Sequence, residues 1–218
     1  MKIVSMIKKG LMLFLMMIFA FSSVAFAGTI DNQSDQEQAF IKEFKVNCDK
    51  MDIDKNTQEK LLKKLQKGEM LDCVNPEKIK AVSDKLKVSI ESPKSEYTFE
   101  DGSKIVRTLT VADTNNVVTP MANTTVKKIR VEDATLITGG YYFADVVLNW
   151  DYPEDSYISS VYDGHINVVG GTYHNKSLYV KQAYQNSNPA EARMEWMYDT
   201  PYVTGDASLQ LFLEDTSY

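Results

Sequence analysis

The sequence predicts an α+β protein, a small N-terminal helical unit followed by an antiparallel β-sandwich. Three observations carry that expectation. Apolar residues recur at helical spacing between residues 36 and 84. Beyond Tyr97 the period changes to two, with apolar and polar side chains alternating. Glycine pairs and Asp-Gly steps punctuate that second region at short intervals.

Taken in order, residues 1–27 read as a cleavable export signal. Lys2, Lys8 and Lys9 form a basic start, and Leu11 to Phe21 is an unbroken apolar run. Ala25-Phe26-Ala27 is a small-x-small cleavage site before Gly28. The run is short of the ~20 residues that span a bilayer. No cysteine follows it directly, which leaves lipid anchoring unsupported. The chain is therefore expected outside the cell, as a secreted protein without a membrane span once the signal is removed; an uncleaved N-terminal anchor is the alternative.

Residues 28–93 form the expected helical unit. Phe40, Ile41, Phe44, Cys48 and Met51 mark one helix over 36–51. Asp52 to Asn56 breaks it, and Asn56 is placed to cap a second helix with Glu59 as its reciprocal partner. Leu61, Leu62 and Leu65 line that helix, and Gly68 ends it. Pro76 opens a third helix running to about Asp84.

Residues 94–123 read as a hairpin and linker. Asp101-Gly102 stands between two alternating runs, which predicts a type I′ turn. Residues 113–124 are a polar connection. From 124 to 218 strands dominate, with apolar positions at Ile129 and Val131, Ala144 to Leu148, Ile158 to Val168, Leu178 and Val180, Ala192 to Tyr198, and Leu209 to Leu213. Gly139-Gly140, Asp163-Gly164 and Gly170-Gly171 are expected to separate them. Six or seven such strands imply a sandwich or barrel.

Charge narrows the function classes. The chain of 218 residues has net charge −6, and losing the three lysines of residues 1–27 makes it −9. Residues 141–218 hold three cations against eleven acids. An acidic β region is a poor surface for a polyanion, so nucleic acid is excluded as a partner. With 44% hydrophobic residues the chain has enough apolar side chain to build a core and is not disordered.

Cys48 and Cys73 are the two cysteines. An even count in an exported protein favours a disulfide, worth about 3 kcal/mol in the chain-entropy model. Two buried free thiols are the alternative. Their spacing does not match a zinc site.

No catalytic constellation stands out. Asp49 to Lys55 has the acidic density of an EF-hand, but Thr57 stands where the loop needs glycine and Lys63 where it needs a bidentate glutamate. Asp151, Glu154 and Asp155 form an acidic loop after Trp150, at no fixed metal spacing. Asp163 and His165 flank Gly164, where an aspartate can orient an imidazole, but no G-x-S-x-G nucleophile accompanies them. His174 lies near a Gly-Gly turn. Eleven acids make a glycosidase-like carboxylate pair available by chance. Asn123 and Asn175 begin glycosylation sequons. Most aromatics fit core positions. Tyr141, Tyr142, Tyr152, Tyr157 and Tyr173 fall at strand ends or loops, and Tyr152, Tyr157 and Tyr173 form a possible ligand surface.

The run from Leu61 through Gly68-Glu69, Asp72-Cys73 and Asn75-Pro76-Glu77 resembles the N-terminal unit of small secreted proteins of Gram-positive bacteria. So does the Tyr97 to Ser103 hairpin that follows. Val169 to Tyr173 and Asn188 to Arg193 are similar to an uncharacterised β domain of such proteins. The resemblance covers most of 56–218. It implies export and architecture and assigns no functional residue. The strands from Lys176 onward bear a looser similarity to lactococcin-type bacteriocins, from which the helical unit and the acidic β region depart.

These readings lead to the expectation of a secreted, non-enzymatic binding or interaction module. It would act at the bacterial surface or outside the cell, on a protein or glycan ligand, without a cofactor or metal. A bacteriocin-like protein and a carboxylate-dependent hydrolase are the alternatives.

Overall fold

A computed structural model describes residues 29–89, 92–115, 124–185 and 188–213. The export signal and residues 116–123 of the polar connection lie outside that set. The chain divides into two compact units, residues 1–39 and 40–218. The described part of the first is the opening of helix α1 (Thr29–Lys50). All that follows concerns the second.

α1 begins earlier than its apolar repeat, because extending a nucleated helix adds one hydrogen bond per residue. Helix α2 (Lys55–Gln66) is capped by Asp54 rather than Asn56. Asp54 accepts from the Thr57 amide at 3.0 Å and the Thr57 hydroxyl at 2.6 Å. Asp52, at φ 53°, reverses the chain early enough to put Asn56 inside the first turn. The Gly68 and Glu69 amides close α2 onto the carbonyls of Leu65 and Lys64. Helix α3 (Pro76–Ala81) has Asn75 as its cap and is shorter than expected. At Val82 the chain tightens into a 3₁₀ turn over Ser83–Leu86.

Eight strands follow: β1 (Lys94–Thr98), β2 (Lys104–Asn115), β3 (Thr124–Thr135), β4 (Thr138–Asn149), β5 (Tyr157–Val168), β6 (Thr172–Gln182), β7 (Ala190–Asp199) and β8 (Thr204–Leu213). The first five make one antiparallel sheet in sequence order, and the last three make a second. The α+β class is as the sequence predicts, and β1 and β2 belong to the larger sheet.

Three expected turns differ. The β1–β2 loop has three residues, not two. The Phe99 amide donates to Ser103 O at 2.8 Å, and the Gly102 amide donates back to Phe99 O at 2.9 Å. Gly102 takes φ +85° while Asp101 stays at negative φ, giving a turn plus bulge instead of type I′. Asp163-Gly164 does not separate strands either. It lies within β5 as a bulge, opposite the single residue Tyr142, with Asp163 at φ 51°. Gly139-Gly140 likewise lies inside β4.

Antiparallel pairing brings the β1–β2, β3–β4, β5–β6 and β7–β8 turns to one end of the sandwich. The helices close that end. Phe40 packs edge-on against Tyr202 of the β7–β8 turn at 5.1 Å, and Glu43 accepts the amide of Gly170 in the β5–β6 turn at 3.0 Å. Asn47 donates to Leu136 O of the β3–β4 turn, and the Cys73 amide donates to Ser103 Oγ beside the β1–β2 loop. The core runs from Phe40, Phe44, Leu61 and Leu65 through Leu136 and Ile137 into the facing strands.

The expected disulfide is not formed. Cys48 and Cys73 are both fully buried free thiols. Burial pushes each thiol up to about 12, Cys48 with help from Asp49 and Cys73 against the pull of Leu136 and Ser103. Such thiols are protonated and inert, and they pack as small apolar groups.

Candidate functional site: a cleft along β8

The inward faces follow from the period of two. β2 turns Ile105, Arg107 and Leu109 inward, β3 turns Ile129, Val131 and Asp133, and β4 turns Tyr142, Ala144, Val146 and Leu148. Sheet two covers part of this surface with Met194 and Trp196 of β7 and Leu209 and Leu211 of β8. Among the described residues β8 is paired on one side only, to β7. The inward faces of β2–β4, the α3–3₁₀ segment, both faces of β8 and outward residues of β6 and β7 such as Asn175 and Met197 line a space of about 1040 Å³. That is at the upper end of the volumes that hold small ligands.

Its walls are mainly aliphatic. Ile105, Leu109, Ile129, Val146 and Leu148 come from the large sheet. Ala207, Leu211 and Leu213 come from β8, and Ile79, Leu86 and Val88 from the helical segment. The strand register orients the cleft. Arg107 and Asp133 sit toward the end closed by the helices. Leu148 pairs with Thr125 toward the open end, roughly 25 Å away along the strands.

Arg107 and Asp133 are direct cross-strand partners, with Nη2 2.9 Å from Oδ2. The residues are 9% and 6% exposed. Burial raises the Asp133 carboxyl above the usual carboxylate range, against the opposing pull of Arg107 and a smaller one from the Ala134 amide. One bond does not satisfy the pair. Arg107 Nε and Asp133 Oδ1 are buried without a hydrogen-bond partner among the described residues. A donor and an acceptor in that state each cost about 1–3 kcal/mol. The sequence carried a signal for this pair: two opposite charges at apolar-parity positions of strands. Neither was singled out.

The residues expected to matter are dispersed. Tyr152, Tyr157, Asp151, Glu154 and Asp155 lie at the open end, where a 3₁₀ turn spans Pro153–Asp155. Tyr157 packs on Tyr184 at 4.8 Å. Tyr173 lies at the other end, at the start of β6, whereas Tyr184, which bridges Tyr157, follows the end of β6, so the three tyrosines share no surface. His165 faces outward, stacked on Tyr141 at 4.8 Å, and no hydrogen bond joins it to Asp163 among the described residues. Lys128 and Arg130 lie over the outward aromatics of the same sheet, Arg130 4.0 Å from the Tyr141 centroid. His174 does meet a carboxylate, Asp199, at 3.2 Å, but both are 44% exposed. Asp49 accepts from Lys55 and Gln58, which accounts for the residue without a metal. Among the described residues no group of three or more His, Cys, Asp or Glu side chains is placed to hold a metal ion. No described helix is long and apolar enough to cross a membrane.

No protein-family model, curated protein or solved structure matches this chain.

Proposed function

We propose that this protein is a secreted, non-enzymatic binding module whose ligand site is the cleft between β8, β2–β4 and the α3–3₁₀ segment. The carrying observation is the cleft itself, about 1040 Å³ of mainly aliphatic wall with an incompletely satisfied ion pair toward its closed end. A well-packed sandwich leaves few voids larger than a water molecule, so a space of this size is a departure that calls for an occupant. Hydrolysis has no comparable support: Asp163 and His165 share no hydrogen bond among the described residues, and His174 meets Asp199 at the exposed surface. Export rests on the Lys-rich start, the apolar run and Ala25-Phe26-Ala27, and on the resemblance to small secreted Gram-positive proteins.

Two measurements test the proposal. Titration with the neutral fluorophore N-phenyl-1-naphthylamine is expected to give saturable fluorescence enhancement. Ala207→Phe, which fills the cleft from β8, abolishes it while the thermal midpoint holds. Enhancement that is unsaturable, or indifferent to that substitution, removes the cleft as a site. N-terminal sequencing of protein recovered outside expressing cells is expected to begin at Gly28; a chain retained inside with Met1 intact removes export.

A further inference from the structure

Going beyond the cleft, we infer that the free edge of β8 docks an extended segment of a partner protein, which pairs with it as a fourth strand of the smaller sheet and sets a basic side chain against Asp206. The ladder with β7 shows which backbone groups are available. The Thr200 amide donates to Val203 O at 3.0 Å across the β7–β8 turn, so these two residues face each other as a hydrogen-bonded pair. Antiparallel pairs alternate from there, and Gly205, Ala207, Leu209, Leu211 and Leu213 exchange hydrogen bonds with β7. Asp206, Ser208, Gln210 and Phe212 therefore aim their amides and carbonyls away from β7. Among the described residues no strand pairs with them.

The other strand edges are blunted. β1 is five residues long and carries Lys94 and Glu96, paired at 3.4 Å. β5 breaks register against β4 at two places. β6 does so twice against β7 and carries Lys176 and Lys181. β8 runs ten residues without a break in register, with Asp206 as its one charge. A long, regular edge with little charge is a template for another strand. One space reaches Ala207 on the inner face of β8 and Asp206, Ser208 and Phe212 on the outer, passing around that edge.

The occupant is a single strand and not a second copy. β8 faces β3 and β4, so β2 and β1 project past it in the larger sheet. Two copies joined β8 to β8 about a two-fold axis would match residues of the same face. Both larger sheets would then lie in one layer, where the projecting strands collide. Charge sets one side chain of the occupant. Glu191 is held by Lys181 and Arg193, and Glu195 by Arg193. Asp206 is exposed and has no ion-pair partner among the described residues. A lysine or arginine directly opposite it supplies that partner.

The probe is a capped heptapeptide that alternates threonine and valine and ends in lysine. Run antiparallel to β8, it sets threonines opposite Phe212, Gln210 and Ser208 and its lysine opposite Asp206. In the free protein, amide hydrogen exchange is expected to alternate along β8, at least about ten-fold faster at Asp206, Ser208, Gln210 and Phe212 than at Leu209 and Leu211. Saturating peptide is expected to slow the fast set by at least about ten-fold. N-methylation of the peptide's threonines, whose N–H groups face β8, abolishes that protection, and N-methylation of its valines does not. Glutamate in place of the peptide's lysine weakens binding by about three-fold or more. Ser208→Pro removes an edge N–H without touching the β7 ladder, so it abolishes peptide protection while the Leu209 and Leu211 amides stay slow. Uniform protection along β8 in the free protein, or peptide binding indifferent to threonine methylation, overturns the edge as a docking site. A dimer in sedimentation that protects the edge overturns the choice of occupant, and equal binding of the lysine and glutamate peptides overturns the role of Asp206. Titration with N-phenyl-1-naphthylamine keeps the two sites apart. Fluorophore binding without peptide protection overturns the edge and leaves the cleft standing, and the converse removes the cleft alone.

Discussion

Lys64 on α2 places its ammonium 2.8 Å from Asp101 at the tip of the β1–β2 hairpin and 2.9 Å from Asp72. Asp101 also accepts the Asp72 amide at 2.9 Å, and the Ser103 amide and hydroxyl at 2.9 and 2.6 Å. One carboxylate thus fixes the hairpin turn and ties it to the helical cap. Asp101→Ala is expected to destabilise the protein by about 2–4 kcal/mol, since several charge-assisted bonds go together. Urea unfolding checks it, and a loss below about 1 kcal/mol would show the tie to be ornamental.

The same carboxylate predicts a pH dependence. Burial pushes Asp101 up, but Lys64, Ser103 and the amides of Asp72 and Ser103 outweigh it and hold the group below its ordinary value of 3.8. A depressed folded value means that its stabilisation is present above the unfolded carboxylate range. It is lost as pH falls through the folded value. Stability of the wild type is therefore expected to fall more steeply below about pH 4 than that of Asp101→Asn. Parallel curves for the two would refute this assignment.

Breaking the Arg107–Asp133 pair from one side strands a buried charge. Arg107→Met alone is expected to cost about 3–5 kcal/mol, and adding Asp133→Leu to recover most of that loss. Thermal and urea unfolding of the two variants give the coupling between them. A double variant no more stable than the single would mean that the pair is not the unit described here.

The two thiols predict a redox-insensitive protein. Native protein is expected to react negligibly with a thiol reagent and denatured protein to show both Cys48 and Cys73. Reductant should leave the thermal midpoint unchanged. A midpoint that drops by several degrees in reductant would mean that a disulfide forms in solution.

Gly170 takes φ +54°, and a Cβ there would fall 2.6 Å from both Cα and Cβ of Phe40. Backbone cannot yield as a flexible side chain does, so Gly170→Ala is expected to cost about 2–4 kcal/mol from strain and overlap together. Circular dichroism melting checks this, and a neutral substitution would show that α1 and the β5–β6 turn separate readily.

The sequence by itself determined the class of each element. Phe40, Phe44, Leu61 and Leu65 repeat at helical spacing, and Val146 and Leu148, or Leu209 and Leu211, at a period of two. Those periods reflect which side chains must leave water, and that is local information. Turn chemistry was legible only in part. Asp-Gly at 101–102 made a hairpin of a different type, and Asp-Gly at 163–164 made a bulge, because strand pairing rather than the dipeptide fixes the number of residues opposed. Asp54 took the cap from Asn56 because the left-handed Asp52 shifted where the chain re-enters a helix. Only the tertiary structure decided that four turns meet under the helices and that Cys48 and Cys73 stay unbonded. It alone placed Arg107 and Asp133, 26 residues apart, in one cleft with β8. Distances between residues far apart in the chain follow from sheet register and from how two sheets overlap, and no single stretch of sequence encodes either.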